Sequence, residues 1–130
     1  MVKKAAIGEL SWSEDRFQQE CVMWFHNSYP KLRGLLFSVP NGMFFSSSMS
    51  KGQRLAYGRK MKLTGLTAGV SDLIFLYSSN AYLLELKRPD GTNGQSPAQV
   101  RWQELVESQG FSYYEIKSFA YFREIITNII

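Results

Sequence analysis

Asp72, Glu85 and Lys87 are the residues whose types and spacing could do chemistry together. They fall in two apolar runs, Val70 to Tyr77 and Ala81 to Lys87, separated by Ser78-Ser79-Asn80, which is a hairpin pattern. A two-residue turn at Ser78-Ser79, or a four-residue turn on the same centre, sets Asp72 directly opposite Glu85. A turn at Ser79-Asn80 instead sets Asp72 opposite Lys87, with Glu85 as a diagonal neighbour. Either register makes the three side chains converge, because Glu85 and Lys87 share a face of their strand.

Opposite Cβ atoms in such a pair lie about 4.5–5.5 Å apart. Two carboxylates at that spacing repel, and among apolar neighbours they lose hydration that one ammonium group only partly replaces. A divalent cation relieves both penalties. Mg2+ takes carboxylate, carbonyl and water oxygens and commonly keeps waters while binding phosphate. Asp72 and Glu85 would supply its ligands, with the Leu86 carbonyl as a third. Lys87 would stand beside a water on the metal, placed to orient it or help remove its proton for in-line attack on phosphorus. The plainer alternative is a pair of strand-end carboxylates with Lys87 as a salt-bridge partner, since Asp and Glu-x-Lys are common in isolation.

Three features outside the hairpin bear on that choice. Glu14 occupies the middle of the helical stripe formed by Phe17, Cys21, Trp24 and Phe25, so it is expected to point inward and reach the metal through water; first-turn helix-dipole stabilisation is the competing role. Gln99 opens a helix on the edge of the stripe Ala98, Trp102, Leu105 and Val106, where it could touch Lys87 or a phosphate, and Ser96-x-x-Gln99 is also a capping box. Both roles can hold. The third feature is charge: no Asp or Glu lies between Cys21 and Ser71, while Lys31, Arg33, Lys51, Arg54, Arg59, Lys60 and Lys62 do. The rest of the chain carries eight basic and eleven acidic residues, so this middle alone makes the net charge +4. A polyanion is the expected partner, with Lys51, Arg54, Arg59, Lys60 and Lys62 as DNA contacts, against the alternative of a solvated basic surface.

The elements that must position these residues follow from periodicity and caps. Ser13 caps a helix running to about Asn27. Leu35 to Val39 reads as a strand closed by Pro40-Asn41-Gly42, and a basic helix is expected around Lys51 to Leu63, after the serine patch Ser46-Ser47-Ser48. Leu73-Ile74-Phe75-Leu76 does not alternate with polar residues, which predicts a strand covered on both faces and helices flanking the sheet. Beyond the turn-rich Pro89 to Gly94, Ser96-Pro97 starts a helix that Gly110 ends, Phe111 to Lys117 is a strand, and Phe119 to Asn128 is a closing helix. The order is α-β-β-β-α-β-α, an α/β fold with a mixed central sheet.

With 130 residues, 45% of them hydrophobic, residues 1–130 are expected to form one unit with a real core. The single cysteine, Cys21, cannot form an internal disulfide, and with one histidine it cannot build a Cys/His zinc site. No apolar run is long enough to span a bilayer, and a cytoplasmic location is expected.

Taken together, Glu14-x-x-x-Gln18, Pro40-Asn41-Gly42, Gly69-Val70-Ser71-Asp72, Glu85-Leu86-Lys87-Arg88-Pro89 and Ser96-Pro97-Ala98-Gln99 resemble, in order, the motifs of the virus-type replication-repair (VRR-NUC) nucleases of the PD-(D/E)xK superfamily. The resemblance covers about Glu14 to Tyr114. It implies a restriction-endonuclease-like core and a Mg2+- or Mn2+-dependent endodeoxyribonuclease. It further implies Asp72 and Glu85 as metal ligands, Lys87 as catalytic lysine, Glu14 as helix carboxylate and Gln99 as supporting glutamine. Ser71 departs from the superfamily pattern, which has proline there, but that position is not a ligand. Small members of this type resemble Holliday-junction resolvases, act on branched DNA in repair and recombination, and tend to be homodimers.

The main alternative from another class is a non-catalytic nucleic-acid-binding module, which the basic middle and the 15% aromatic content also suit. A nucleotide phosphohydrolase ranks behind both, because Gly65 and Gly69 lack a GK[ST] motif. His26 falls on the polar side of its helix and Cys21 on the apolar side, so neither is assigned chemistry. Tyr113 and Tyr114 are explained by strand packing.

Overall fold

In a computed structural model the described residues are 3–40, 47–92 and 94–130. Asn41, Gly42 and Ser46, named above, and Asn93, inside the expected loop from Pro89 to Gly94, lie outside them. After a short 3-10 turn at Ile7–Ser11, helix α1 spans Glu14–Ser28, and the Ser13 side chain accepts the Arg16 N–H to close its first turn. Strand β1 is Leu36–Ser38 and helix α2 is Lys51–Leu63. Strands β2 (Leu73–Tyr77) and β3 (Asn80–Leu86) form the hairpin. Helix α3 (Pro97–Ser108), strand β4 (Ser112–Ile116) and helix α4 (Phe119–Ile129) complete the chain.

The strands lie in the order β1-β2-β3-β4, antiparallel except for the parallel β3–β4 pair that α3 connects, so the sheet is mixed. The hairpin turns on Ser78 and Ser79, both at positive φ (50° and 66°), the two-residue turn that matches strand twist. That turn sets the register: Leu73 pairs with Leu84 and Ile74 with Leu83. One residue outward, Asp72 comes opposite Glu85, and the Ser79-Asn80 alternative is excluded.

One face of the sheet holds the core. Leu36, Leu73, Phe75, Leu84, Leu86 and Ile116 pack under Phe17, Cys21 and Phe25 of α1 and Phe122, Ile125 and Ile126 of α4. Edge-on aromatic contacts tie the layers, Phe25 to Phe75 at 5.4 Å and Trp24 to Phe122 at 6.0 Å. The opposite face carries Asp72 just before β2, Ile74 and Leu76 from β2, Leu83 and Glu85 from β3 and Tyr113 from β4. Here α3 covers only the β4 side, with Trp102 edge-on to Tyr113 at 6.2 Å. Helices therefore flank both faces, but the expectation that the Leu73 to Leu76 run is enclosed on both is corrected: Leu76 is 40% exposed. An unbroken apolar run reports burial in the aggregate and does not reveal how far along the strand a covering helix reaches.

Candidate active site

Strand β3 delivers Glu85 and, just past its end, Lys87, both on the α3 face and almost wholly enclosed at 2% and 3% exposure. Asp72 stands at the mouth of β2. Its Oδ2 accepts the Leu86 N–H at 2.8 Å, and its carbonyl accepts the Val39 N–H at 3.0 Å, so both neighbouring strands hold it. A strand residue directs its N–H and C=O to the same side. The Leu86 carbonyl, the expected third metal ligand, therefore lies on the Asp72 side of β3.

Gln99 does both things expected of it. Its backbone N–H is capped by Ser96 Oγ at 3.2 Å and its Oε1 accepts the Ser96 N–H at 2.9 Å. The same Oε1 accepts from Lys87 Nζ at 2.9 Å, while its Nε2 donates to Glu85 Oε1 at 3.0 Å. Lys87 Nζ also donates to the Gly94 carbonyl at 3.0 Å and stands 3.8 Å from Glu85 Oε1. The lysine is thus aimed by two neutral oxygens and is not spent on a close ion pair.

The electrostatics of the acids follow from this packing. Burial raises Asp72 above the ordinary carboxylate range, against the lowering effect of the Leu86 N–H. Burial, then the Asp72 charge beside it, pushes Glu85 up to about 8. Glu85 Oε2 is buried and receives no N–H or O–H from the rest of the chain, while the Glu85 and Asp72 carboxyl groups lie within hydrogen-bonding reach of each other when one holds a proton, so a cation between them would take that proton's place. Among the described residues no three His, Cys, Asp or Glu side chains form a metal cluster. Mg2+ is commonly held by one or two carboxylates with water and phosphate oxygens making up the rest. Asp72, the buried Glu85 oxygen and a backbone carbonyl on the same side make a donor set that fits it.

Glu14 requires a correction. It is exposed and not tucked into the stripe, whose buried members are Phe17, Cys21 and Phe25. As the first residue of α1 it has no preceding turn of that helix beside it. Its charge still raises both Asp72 and Glu85, so it faces the site from the rim. The basic candidates Lys51, Arg54, Arg59, Lys60 and Lys62 are all exposed on α2, whose one buried residue is Gly58. The segment from Thr64 to Ser71 joins this helix directly to Asp72.

Other residues adjoin the site. The Gly94 carbonyl contributes backbone only, which no side-chain pattern signals. Glu115 pairs with Glu85 across the parallel ladder, but Lys117 lies 3.5 Å from its carboxylate and balances it. Tyr113 does more than pack: its hydroxyl, pushed up to about 12 chiefly by burial, accepts from Gln95 Nε2 at 3.4 Å, and that amide also donates to Gln103 at 2.7 Å. Ser71, where the superfamily pattern has proline, is fully buried and donates its hydroxyl to the Leu73 carbonyl at 3.1 Å. His26 is half-buried against Phe25 and Cys21 is enclosed in the core.

A solved structure named "VRR_NUC domain protein" superposes on 92% of this chain, using 89% of its own length, with a TM-score of 0.72 at 21% identity. The chain has the VRR_NUC domain fold. A second solved structure, named "VRR_NUC domain", covers 90% of this chain and 97% of its own with a TM-score of 0.54 at 18% identity. No family model and no curated protein matches the sequence. The likeness is thus carried by backbone architecture.

Proposed function

We propose that this chain is a VRR-NUC-type endodeoxyribonuclease that hydrolyses phosphodiester bonds with Mg2+ or Mn2+ and prefers branched DNA. The observation that carries the proposal is the enclosed Glu85, whose Oε2 receives no N–H or O–H from the rest of the chain, beside Asp72. In this reading Asp72, Glu85 and the Leu86 carbonyl hold the cation, with Glu14 facing it from the rim. When bound, the cation supplies Lewis acidity to the phosphodiester. Lys87, pinned by Gln99 Oε1 and the Gly94 carbonyl, offers its third N–H to the attacking water or to a phosphate oxygen. Lys51, Arg54, Arg59, Lys60 and Lys62 grip the strand backbone. The lone buried Cys21 suits a reducing, cytoplasmic setting. Action as a homodimer would let symmetric strands be cut in concert.

The test is incubation of the purified protein with labelled four-way junctions, flaps and plain duplexes, each with Mg2+, with Mn2+ and with EDTA. Metal-dependent product that EDTA abolishes is expected. Tight binding with no cutting under any condition would replace this reading with that of a non-catalytic binding module, which the exposed basic helix would equally serve.

A further inference from the structure

Gly69 lies on the segment between α2 and Asp72 and takes a positive φ of 85°. A Cβ built there would overlap the Ala98 carbonyl and stand 2.8 Å from the Gln99 nitrogen. Real side chains do not tolerate that approach to backbone, so a side chain at position 69 forces apart either the segment leading to Asp72 or the first turn of α3. Both ends of this contact reach the site. Asp72, three residues on, holds the Leu86 N–H, and Gln99 holds Lys87 and Glu85 together. Gly65 offers a contrast within the same segment: its φ is 112°, yet nothing lies within 4 Å of its Cβ position. The two glycines share the backbone requirement, and only Gly69 has the close approach.

We infer that Gly69 is a positioning residue: its missing side chain lets the segment before Asp72 seat on the first turn of α3 and so aligns Gln99 against Lys87 and Glu85. Its catalytic consequence rests on the nuclease reading; its structural consequence does not. Misplacing a reacting group by as little as about 1 Å can cost two orders of magnitude in rate, so the contact sets turnover more than binding.

The experiment compares Gly69→Ala, Gly65→Ala, Gln99→Ala and the Gly69→Ala/Gln99→Ala pair by cleavage kinetics and by 1H–15N spectra of the Gln99 side-chain amide. Expected for Gly69→Ala are displaced Gln99 amide signals and a kcat lowered about tenfold or more, with KM within about twofold of wild type. Gly65→Ala, strained by its positive φ but meeting no neighbour, should cost some stability and leave the Gln99 signals and kcat near wild type. In the pair, Gly69→Ala should add little to the loss from Gln99→Ala, because residues acting through one group are not additive. Unmoved Gln99 signals, equal effects of the two glycine variants, or multiplying losses in the pair would overturn the inference. Should Gly69→Ala not fold, a glycine inserted after Gly69 lifts the segment from α3 without adding a Cβ, and the same displacement and kcat loss are required of it. A wild-type protein that does not cut refutes the nuclease reading, while the Gln99 signals still decide the role of Gly69.

Discussion

Gln99 and Lys87 meet at 2.9 Å, amide oxygen to ammonium, across the gap between the first turn of α3 and the end of β3. The same amide donates to Glu85 at 3.0 Å, so one side chain sets the positions of a base and an acid. Gln99→Ala is expected to lower single-turnover cleavage by about 10- to 100-fold, the usual cost of losing a group that orients others in a metal site. DNA affinity should hardly change, and an unimpaired rate would show that Lys87 and Glu85 are aimed without it.

Asp72→Ala and Lys87→Ala should abolish metal-dependent cleavage and leave DNA binding largely intact, measured by gel cleavage and fluorescence anisotropy. A variant that still cuts at wild-type rate removes that residue from the mechanism.

The acid pair sets a pH dependence of stability. Glu85 is raised by burial and by Asp72, so its folded value of about 8 lies above its unfolded one. The native state then binds the proton more tightly, and this contribution to stability is present at low pH and lost as pH rises through about 8. Thermal melts of EDTA-treated protein should fall from about pH 5 to about pH 8, and Glu85→Gln should flatten that fall. Added Mg2+ should raise the melting temperature of wild type at the alkaline end and have little effect on Glu85→Gln.

Replacing Arg54, Arg59 and Lys60 on α2 together should weaken DNA binding and reduce the slope of log affinity against log salt by up to about three contacts' worth. Unchanged affinity would show that this helix faces away from the substrate.

Ser78 and Ser79 both hold positive φ, a conformation Asn and Gly adopt with less strain. Ser78→Asn with Ser79→Gly should relieve left-handed strain and stabilise the protein by about 1 kcal/mol in denaturant melts without changing the register. A loss of stability would mean the serines contribute something the turn geometry does not show.

Much of this was legible in the sequence because it is local. Ser13 and Ser96 announce helix starts through cap chemistry, and α2 fell where the basic cluster sits. Convergence of Asp72, Glu85 and Lys87 followed from the strand repeat alone. The choice of turn did not, because Ser78-Ser79 and Ser79-Asn80 are similar candidates locally, and the structure puts Asn80 in β3 with its amide donating to the Ser78 carbonyl at 3.3 Å. Glu14 departs from its expected inward position because a helical wheel gives direction around an axis and not where the helix overhangs its support. Gly94 and Gly69 act through backbone, and no residue pattern encodes which distant turn a carbonyl or a bare Cα will meet.

Strand β3 is paired along both edges, to β2 and to β4, and is roofed by α1 on its core face, whereas α2 buries a single glycine of its thirteen residues. Substitutions can therefore accumulate along the exposed helix without jarring Glu85 or Lys87. What this helix presents to solvent can thus change while the acids and their lysine stay where they are.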